Sequence, residues 1–215
     1  MNWLNKLNRK LGKFAIPHLM YGLSFIMLAV FVLDLLLPGL HLSSWLVFDR
    51  ALLAQGQIWR LITFIFLPPD SSIVFIFFSL YFYCLIGNAL EREWGSFRFN
   101  VFYLCGMIGT ILGGLITGGA TNVFLNFSLF LAFAALYPDF QLMLFFFIPI
   151  KIKYLAILDG LYYIAMLIFG TWPIRIAIVF SLLNVLLFFG GDFFKNIKQQ
   201  AGYRKTRRNF RKYMR

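Results

Sequence analysis

Six long apolar stretches, bounded by proline, glycine or charged residues, dominate this sequence of 215 residues. They cover residues 17–37, 72–87, 99–118, 120–136, 154–170 and 174–191. All seven prolines stand at the ends of these stretches or between them, where the missing backbone donor costs least. Since about 20 apolar residues cross a bilayer core, the sequence predicts six membrane-spanning helices, several of them short.

Composition excludes a soluble globular protein. Hydrophobic residues make up 61% of the chain and charged residues only 13%, which is more apolar surface than a soluble domain of this size can bury. An additional apolar run at residues 142–149 is too short to cross a membrane and is predicted to lie in a loop. We therefore expect an all-α integral membrane protein.

Basic residues predict the orientation. All of the 20 basic residues except Arg50, Arg60 and Arg175 precede the first span, follow the last, or lie in connections on that same side. The positive-inside rule then places both termini in the cytoplasm. We expect a basic N-terminal segment at residues 1–16, a membrane domain at 17–191 and a basic tail at 192–215.

The net charge of +12 predicts attraction to anionic lipids of the inner leaflet, about 1 kcal/mol for each well-placed basic residue. Residues 192–215 fit either a topology signal or an arm that docks a cytoplasmic protease or ATPase. Nucleic-acid binding is the less favoured interpretation, although basic tails often serve as interaction arms.

Three motifs lie in order around the second to fourth spans. Trp59 and Arg60 open the segment 57–67, Glu91 and Gly95 lie within 89–99, and Leu-Tyr-Pro ends the fourth span at 136–138. Together they resemble the rhomboid superfamily of intramembrane serine proteases. The resemblance implies a six-helix bundle. In it Trp59 and Arg60 brace the connection between spans one and two, at about residues 38–71, which we call the outer loop. Glu91 and Gly95 shape the turn between spans two and three.

The protease chemistry of that superfamily does not carry over. Its members use a serine near the outer end of span four, activated by a histidine on span six, because a hydroxyl needs an adjacent base. Residues 120–130 contain a single serine, Ser128, without the Gly-x-Ser-Gly motif, and residues 174–191 contain no histidine. The two histidines of the chain are His18 and His41. The sequence thus predicts no enzyme activity.

Four polar residues inside the spans are candidates for a binding site or for helix packing. In the rhomboid arrangement the fourth and sixth spans face each other, so Asn126 and Asn184 either bond across the former active site and pack the helices or line a polar cavity. Ser128 is expected to bond back to its own helix. Asp159 either faces a cavity or extends to the cytoplasmic surface, since intramembrane carboxylates avoid lipid.

Glycines recur at spacing four in the third span, at Gly109 and Gly113 and at Gly114 and Gly118. Small residues at this spacing permit close helix approach, either between two copies of the chain or, the preferred interpretation, with neighbouring helices of the same chain. The sequence contains no metal-ligand cluster, phosphate-binding loop or nucleotide motif, and we expect no cofactor.

Inactive relatives of rhomboids include the Derlins, which bind membrane clients and route them to degradation. By resemblance, we expect a pseudoprotease that binds transmembrane clients in membrane-protein quality control or trafficking, as a multi-pass protein of a bacterial cell membrane. Two alternatives remain. One is an active intramembrane serine protease with a displaced site, and the other is a small transporter or lipid-handling protein.

Overall fold

A computed structural model of the protein describes residues 2–69, 72–144 and 148–188, so the basic tail at 192–215 lies outside the described residues. The helices in chain order are α1 (Asn2–Leu11), α2 (Leu19–Leu36), α3 (Leu42–Leu46), α4 (Arg50–Ala54), α5 (Arg60–Thr63), α6 (Ile73–Trp94), α7 (Ser96–Thr117), α8 (Val123–Leu136), α9 (Ile152–Phe169) and α10 (Trp172–Phe188). The predominantly helical architecture expected of an integral membrane protein is confirmed.

Four of these helices, α2, α6, α7 and α9, have the length and apolar character needed to cross a membrane. The remaining predicted spans form shorter apolar helices, with α8 from Val123 to Leu136 and α10 from Trp172 to Phe188. Helix α8 is buried along most of its length by its neighbours, so it need not match the full thickness of the lipid core. The count of six crossings stays a prediction.

The second predicted span ends later than the sequence indicated. Helix α6 continues past residue 87 through the charged segment and ends at Trp94, and α7 begins at Ser96. The turn between them therefore consists of Gly95 alone, whose φ of +80° is readily adopted only by glycine. The motif at 89–99 is thus mostly helix, and only its glycine turns the chain.

The outer loop is folded into short elements and anchored at its centre. Strand β1 (Phe48–Asp49) pairs in antiparallel fashion with β2 (Gly119–Ala120), which precedes α8. The Phe48 ring is fully buried and lies against Gly114, where an added Cβ would come within 2.7 Å of the ring. This packing holds the loop against the outer ends of α7 and α8.

The apolar run at 142–149 forms part of a β-hairpin between α8 and α9. Strands β3 (Gln141–Leu144) and β4 (Ile148–Lys151) pair antiparallel, with Gln141 opposite Lys151. Asp139 accepts contacts from the Nζ atoms of Lys153 at 2.8 Å and Lys151 at 3.4 Å. These ammonium groups, Lys153 foremost, hold the pKa of Asp139 below its ordinary value. The described residues of the run, 142–144 and 148–149, lie in these two strands, whereas a loop was predicted there. The two small β-ladders were not predicted.

The glycines of α7 serve contacts within one chain. Gly109 and Gly113 lie against Phe180 of α10, and Gly114 lies against the outer loop. A Cβ on Gly106 would come within 2.7 Å of a side chain of α10 and 2.5 Å of one of α8. The close helix approach predicted from the glycine spacing therefore involves neighbouring helices of the same chain.

Candidate functional site

Arg60 braces the outer loop, as the resemblance implied. Its guanidinium is buried, with 4% of the residue exposed. Nε donates to Gln57 Oε1 at 2.7 Å, and Nη1 donates to the carbonyl oxygens of Ser44 at 2.8 Å and Val47 at 2.6 Å. Trp59 stands at the start of α5 with 44% of its surface exposed, so the arginine carries the brace and the indole points away from the core.

Glu91 joins three helix ends on the opposite side of the bundle. Its Oε1 atom accepts a hydrogen bond from the backbone N–H of His18 at 2.9 Å and another from the Ser96 hydroxyl at 2.6 Å. His18 precedes α2, and Ser96 begins α7. The carboxylate therefore satisfies donors at two helix N-termini, where negative charge is favourable.

Ser128 belongs to a polar seam between α8 and α10. The fully buried hydroxyl donates to the Leu125 carbonyl oxygen at 2.7 Å, as predicted for a serine in a membrane helix, and accepts from Asn184 Nδ2 at 3.3 Å. One turn away, the Ser181 hydroxyl donates to the Phe124 carbonyl oxygen at 2.8 Å. The two hydrogen-bond partners of the Ser128 hydroxyl are thus a backbone carbonyl and a side-chain amide, and neither group is a base.

Asn126 faces the other side of α8, so of the two arrangements considered for Asn126 and Asn184 the structure shows no hydrogen bond between them. Only 5% of Asn126 is exposed, and its amide makes no hydrogen bond of good geometry with the described residues, although the Tyr83 hydroxyl lies beside it. The reason is helix geometry. Residues two apart are rotated by about 200° around an α-helix, so Asn126 and Ser128 cannot both face α10.

The amide of Asn126 borders a cavity of about 520 Å³ between α6, α8 and α9. Asp159 of α9, which is partly exposed, lines the same cavity. Its depth in a membrane stays a prediction. Leu67, Pro68 and Pro69 close the cavity on the side of the outer loop. The remaining wall is largely aromatic and includes Phe78, Phe82, Tyr83, Phe127, Phe130 and Tyr163.

The cavity has one polar anchor that the sequence analysis missed. Asn122 is 2% exposed, and its Nδ2 atom donates to the carbonyl oxygens of Leu67 at 2.8 Å and Ile65 at 3.3 Å. It ties the outer loop to the beginning of α8. Its spacing of four residues from Asn126 puts both side chains on one helix face, a signal that was present in the sequence.

The structure thus separates the predicted polar residues into two groups. Asn126 and Asp159 share the cavity, whereas Ser128 and Asn184 share the seam on the far side of α8. Among the described residues, no group of three or more histidine, cysteine or acidic side chains is placed to hold a metal ion. The cavity that holds Asn126 and Asp159 is the candidate binding site.

Comparison with known proteins gives two matches. Over 125 aligned residues the chain is 29% identical to Rhomboid-like protease 1 of Toxoplasma gondii, an alignment that covers 51% of this chain and 40% of that protein. The chain thus matches less than half the length of this relative. A family model described as "Eukaryotic integral membrane protein (DUF1751)" matches residues 19–189. That description names eukaryotes and lends no support to the bacterial origin expected above.

The family match covers α2 to α10 and therefore includes both the seam and the cavity. The relative from Toxoplasma adds similarity to a rhomboid-like protein, in agreement with the motifs around Arg60 and Glu91. This chain accordingly belongs to the DUF1751 family of integral membrane proteins and is a rhomboid-like membrane protein with several apolar helices.

Proposed function

We propose that this protein is a rhomboid pseudoprotease that binds membrane-protein clients without cleaving them, in quality control or trafficking at the cell membrane. The observation that carries the proposal is the cavity beside α8, in which the Asp159 carboxylate has no partner from the described chain and the Asn126 amide has only the Tyr83 hydroxyl beside it. Polar groups inside a membrane protein are costly unless they are satisfied. A polar or locally unwound client segment supplies the missing partners.

The position of the cavity suits a client that arrives through the bilayer. Helix α6 packs against α2, α7 and α8, and α9 packs against α8 and β4, so the cavity lies between two helices that flank α8. The outer face of α9 exposes Ile157, Leu158 and Leu161. A transmembrane segment that diffuses laterally within the membrane can contact this apolar face first, before its polar residues reach the cavity.

The surroundings of Ser128 support the absence of cleavage. Attack on an amide requires a base within about 2.6–3.2 Å of the hydroxyl, whereas Ser128 contacts a backbone carbonyl and the amide of Asn184. His18 stands at the start of α2, where its backbone N–H donates to Glu91, and His41 precedes α3 in the outer loop. Neither histidine belongs to the helices that surround the serine.

One observation favours an active protease with a displaced site instead, because the relative from Toxoplasma is named a rhomboid-like protease. The placement of Asn126 and Asn184 on opposite sides of α8 gives the transporter alternative no support. Proteolysis is therefore the activity to test first.

Purified full-length protein in lipid should leave rhomboid substrates intact, and Ser128→Ala should behave like the parent. Loss of members of a catalytic triad costs about 10⁶-fold in kcat in soluble serine proteases, which puts any residual cleavage below detection. An active rhomboid protease in the same vesicles serves as the positive control. A sequence-specific cut by the parent that disappears in Ser128→Ala would refute the pseudoprotease assignment, as would labelling of Ser128 by a serine-directed phosphonate.

Client binding needs a separate readout. A photoreactive group placed at Tyr83 or Tyr163, both of which line the cavity, should crosslink single-span proteins in native membranes. The matched control is the same group at Ile164, which is exposed on α9. Equal yields of the same products from the cavity and the control position would contradict a client site in the cavity.

A further inference from the structure

The cavity is lined by a carboxylate, Asp159, that has no basic partner among the described residues. Asp159 forms neither a hydrogen bond nor an ion pair with the described part of the chain, whereas the exposed Asp139 of the hairpin has two lysine partners. Charged side chains within membrane-spanning segments normally pair with one another or with backbone groups. Among the described residues, those that line this cavity include no lysine, arginine or histidine. The position of a cation next to Asp159 is therefore open.

The groups around that position favour a cation over an anion or a neutral apolar group. The amide of Asn126 is buried beside the Tyr83 hydroxyl, and its oxygen, which has no donor among the described residues, can accept from a cation that pairs with the carboxylate. The rings of Phe127 and Tyr163 lie 3.7 Å apart by their centroids and so cover each other's faces, which makes this part of the wall apolar surface. The charge of Asp159 thus selects a cation, and the Asn126 oxygen is compatible with one.

We propose that Asp159 and Asn126 recognise a lysine or arginine side chain within the membrane-spanning segment of a client. The proposal rests on the client-binding function above and names the feature by which clients are selected. A basic residue in mid-membrane is rare and unfavourable in lipid. Such a residue marks a segment that has lost or not yet found its partner, and the cavity provides an acid and an amide in its place.

Depth and size identify a client side chain as the source of the cation. Asp159 lies seven residues into α9 from Ile152, or about 10 Å along the helix axis. We place the membrane surface at the start of α9, and from there this distance exceeds a headgroup layer of about 5–8 Å. The cavity volume of about 520 Å³ compares with roughly 400 Å³ for one turn of a helix 10 Å wide. It accommodates the side chains of about one turn and leaves the rest of the client helix outside.

The test uses full-length protein in phosphatidylcholine vesicles and synthetic single-span peptides of leucine and alanine. Each peptide carries a photoreactive leucine beside one central residue, which is lysine, glutamine or glutamate. We expect the lysine peptide to crosslink to cavity residues about 3- to 30-fold more than the glutamine peptide, the range that interhelical polar contacts in membranes supply. Asp159→Asn should bring that ratio to about one while the glutamine peptide still crosslinks.

Two further variants keep the test decisive. Asp139→Asn removes an acid outside the cavity and should leave the preference for lysine unchanged. Asp159→Lys should reverse the preference, so that the glutamate peptide crosslinks best. Equal crosslinking of the lysine and glutamine peptides to the parent overturns the selection of basic residues but leaves client binding intact. Crosslinking of no peptide above that seen at the lipid-facing Ile164 overturns client binding itself.

Discussion

Replacement of Arg60 by alanine tests the brace of the outer loop most directly. The substitution removes three hydrogen bonds from a guanidinium that is 4% exposed and leaves the carbonyl oxygens of Ser44 and Val47 without donors. Hydrogen bonds to charged groups contribute about 1.5–3 kcal/mol each, but the three act as a unit, and burial of the charge offsets part of the gain. We expect Arg60→Ala to lower the free energy of unfolding by about 2–5 kcal/mol.

For a chain of this size, 1 kcal/mol corresponds to about 2–4 °C in Tm, so Arg60→Ala should melt about 4–20 °C below the parent in detergent. The free cysteines Cys84 and Cys105 are partly buried, so a thiol-reactive dye reports unfolding. Arg60→Lys should melt between the two, since an ammonium keeps the charge but loses the planar fork. Arg50→Ala, at an exposed arginine of the same loop, is the matched control. Equal Tm values for Arg60→Ala and Arg50→Ala would refute the brace.

Two further predictions concern helix packing and orientation. Gly106→Ala should lower Tm in the same assay, because its Cβ would come within 2.5 and 2.7 Å of side chains on α8 and α10. The control is Gly160→Ala, whose Cβ meets nothing within 4 Å and which should raise Tm slightly or leave it unchanged. A smaller loss of Tm for Gly106→Ala than for Gly160→Ala would contradict the packing. In a cysteine-free background, a cysteine at Ser43 should react with an impermeant thiol reagent in intact cells, and cysteines at Asn2 or Asn209 should not, because basic residues flank both termini. Labelling of either terminus would overturn the predicted topology.

Local chemistry explains why much of this architecture could be predicted from the sequence. Apolar stretches and the positions of proline depend only on what lipid tolerates along the chain, so the helical stretches and their breaks were visible. The roles of Arg60 and Gly95 were expected only from the resemblance to rhomboids. The structure supplies their physical reasons, because the guanidinium is buried and needs acceptors, and a positive φ is readily adopted only by glycine.

The candidate site was less accessible, because its residues lie on three helices whose rotation about their axes is set by packing. The sequence places Asn126 and Ser128 on opposite faces of α8, but only the tertiary structure shows which neighbour covers each face. The same holds for Asp159, whose position beside the cavity depends on the gap between α6 and α9. Helix periodicity determines relative directions within one helix, while the pairing of those directions across helices is decided by contacts between distant parts of the chain.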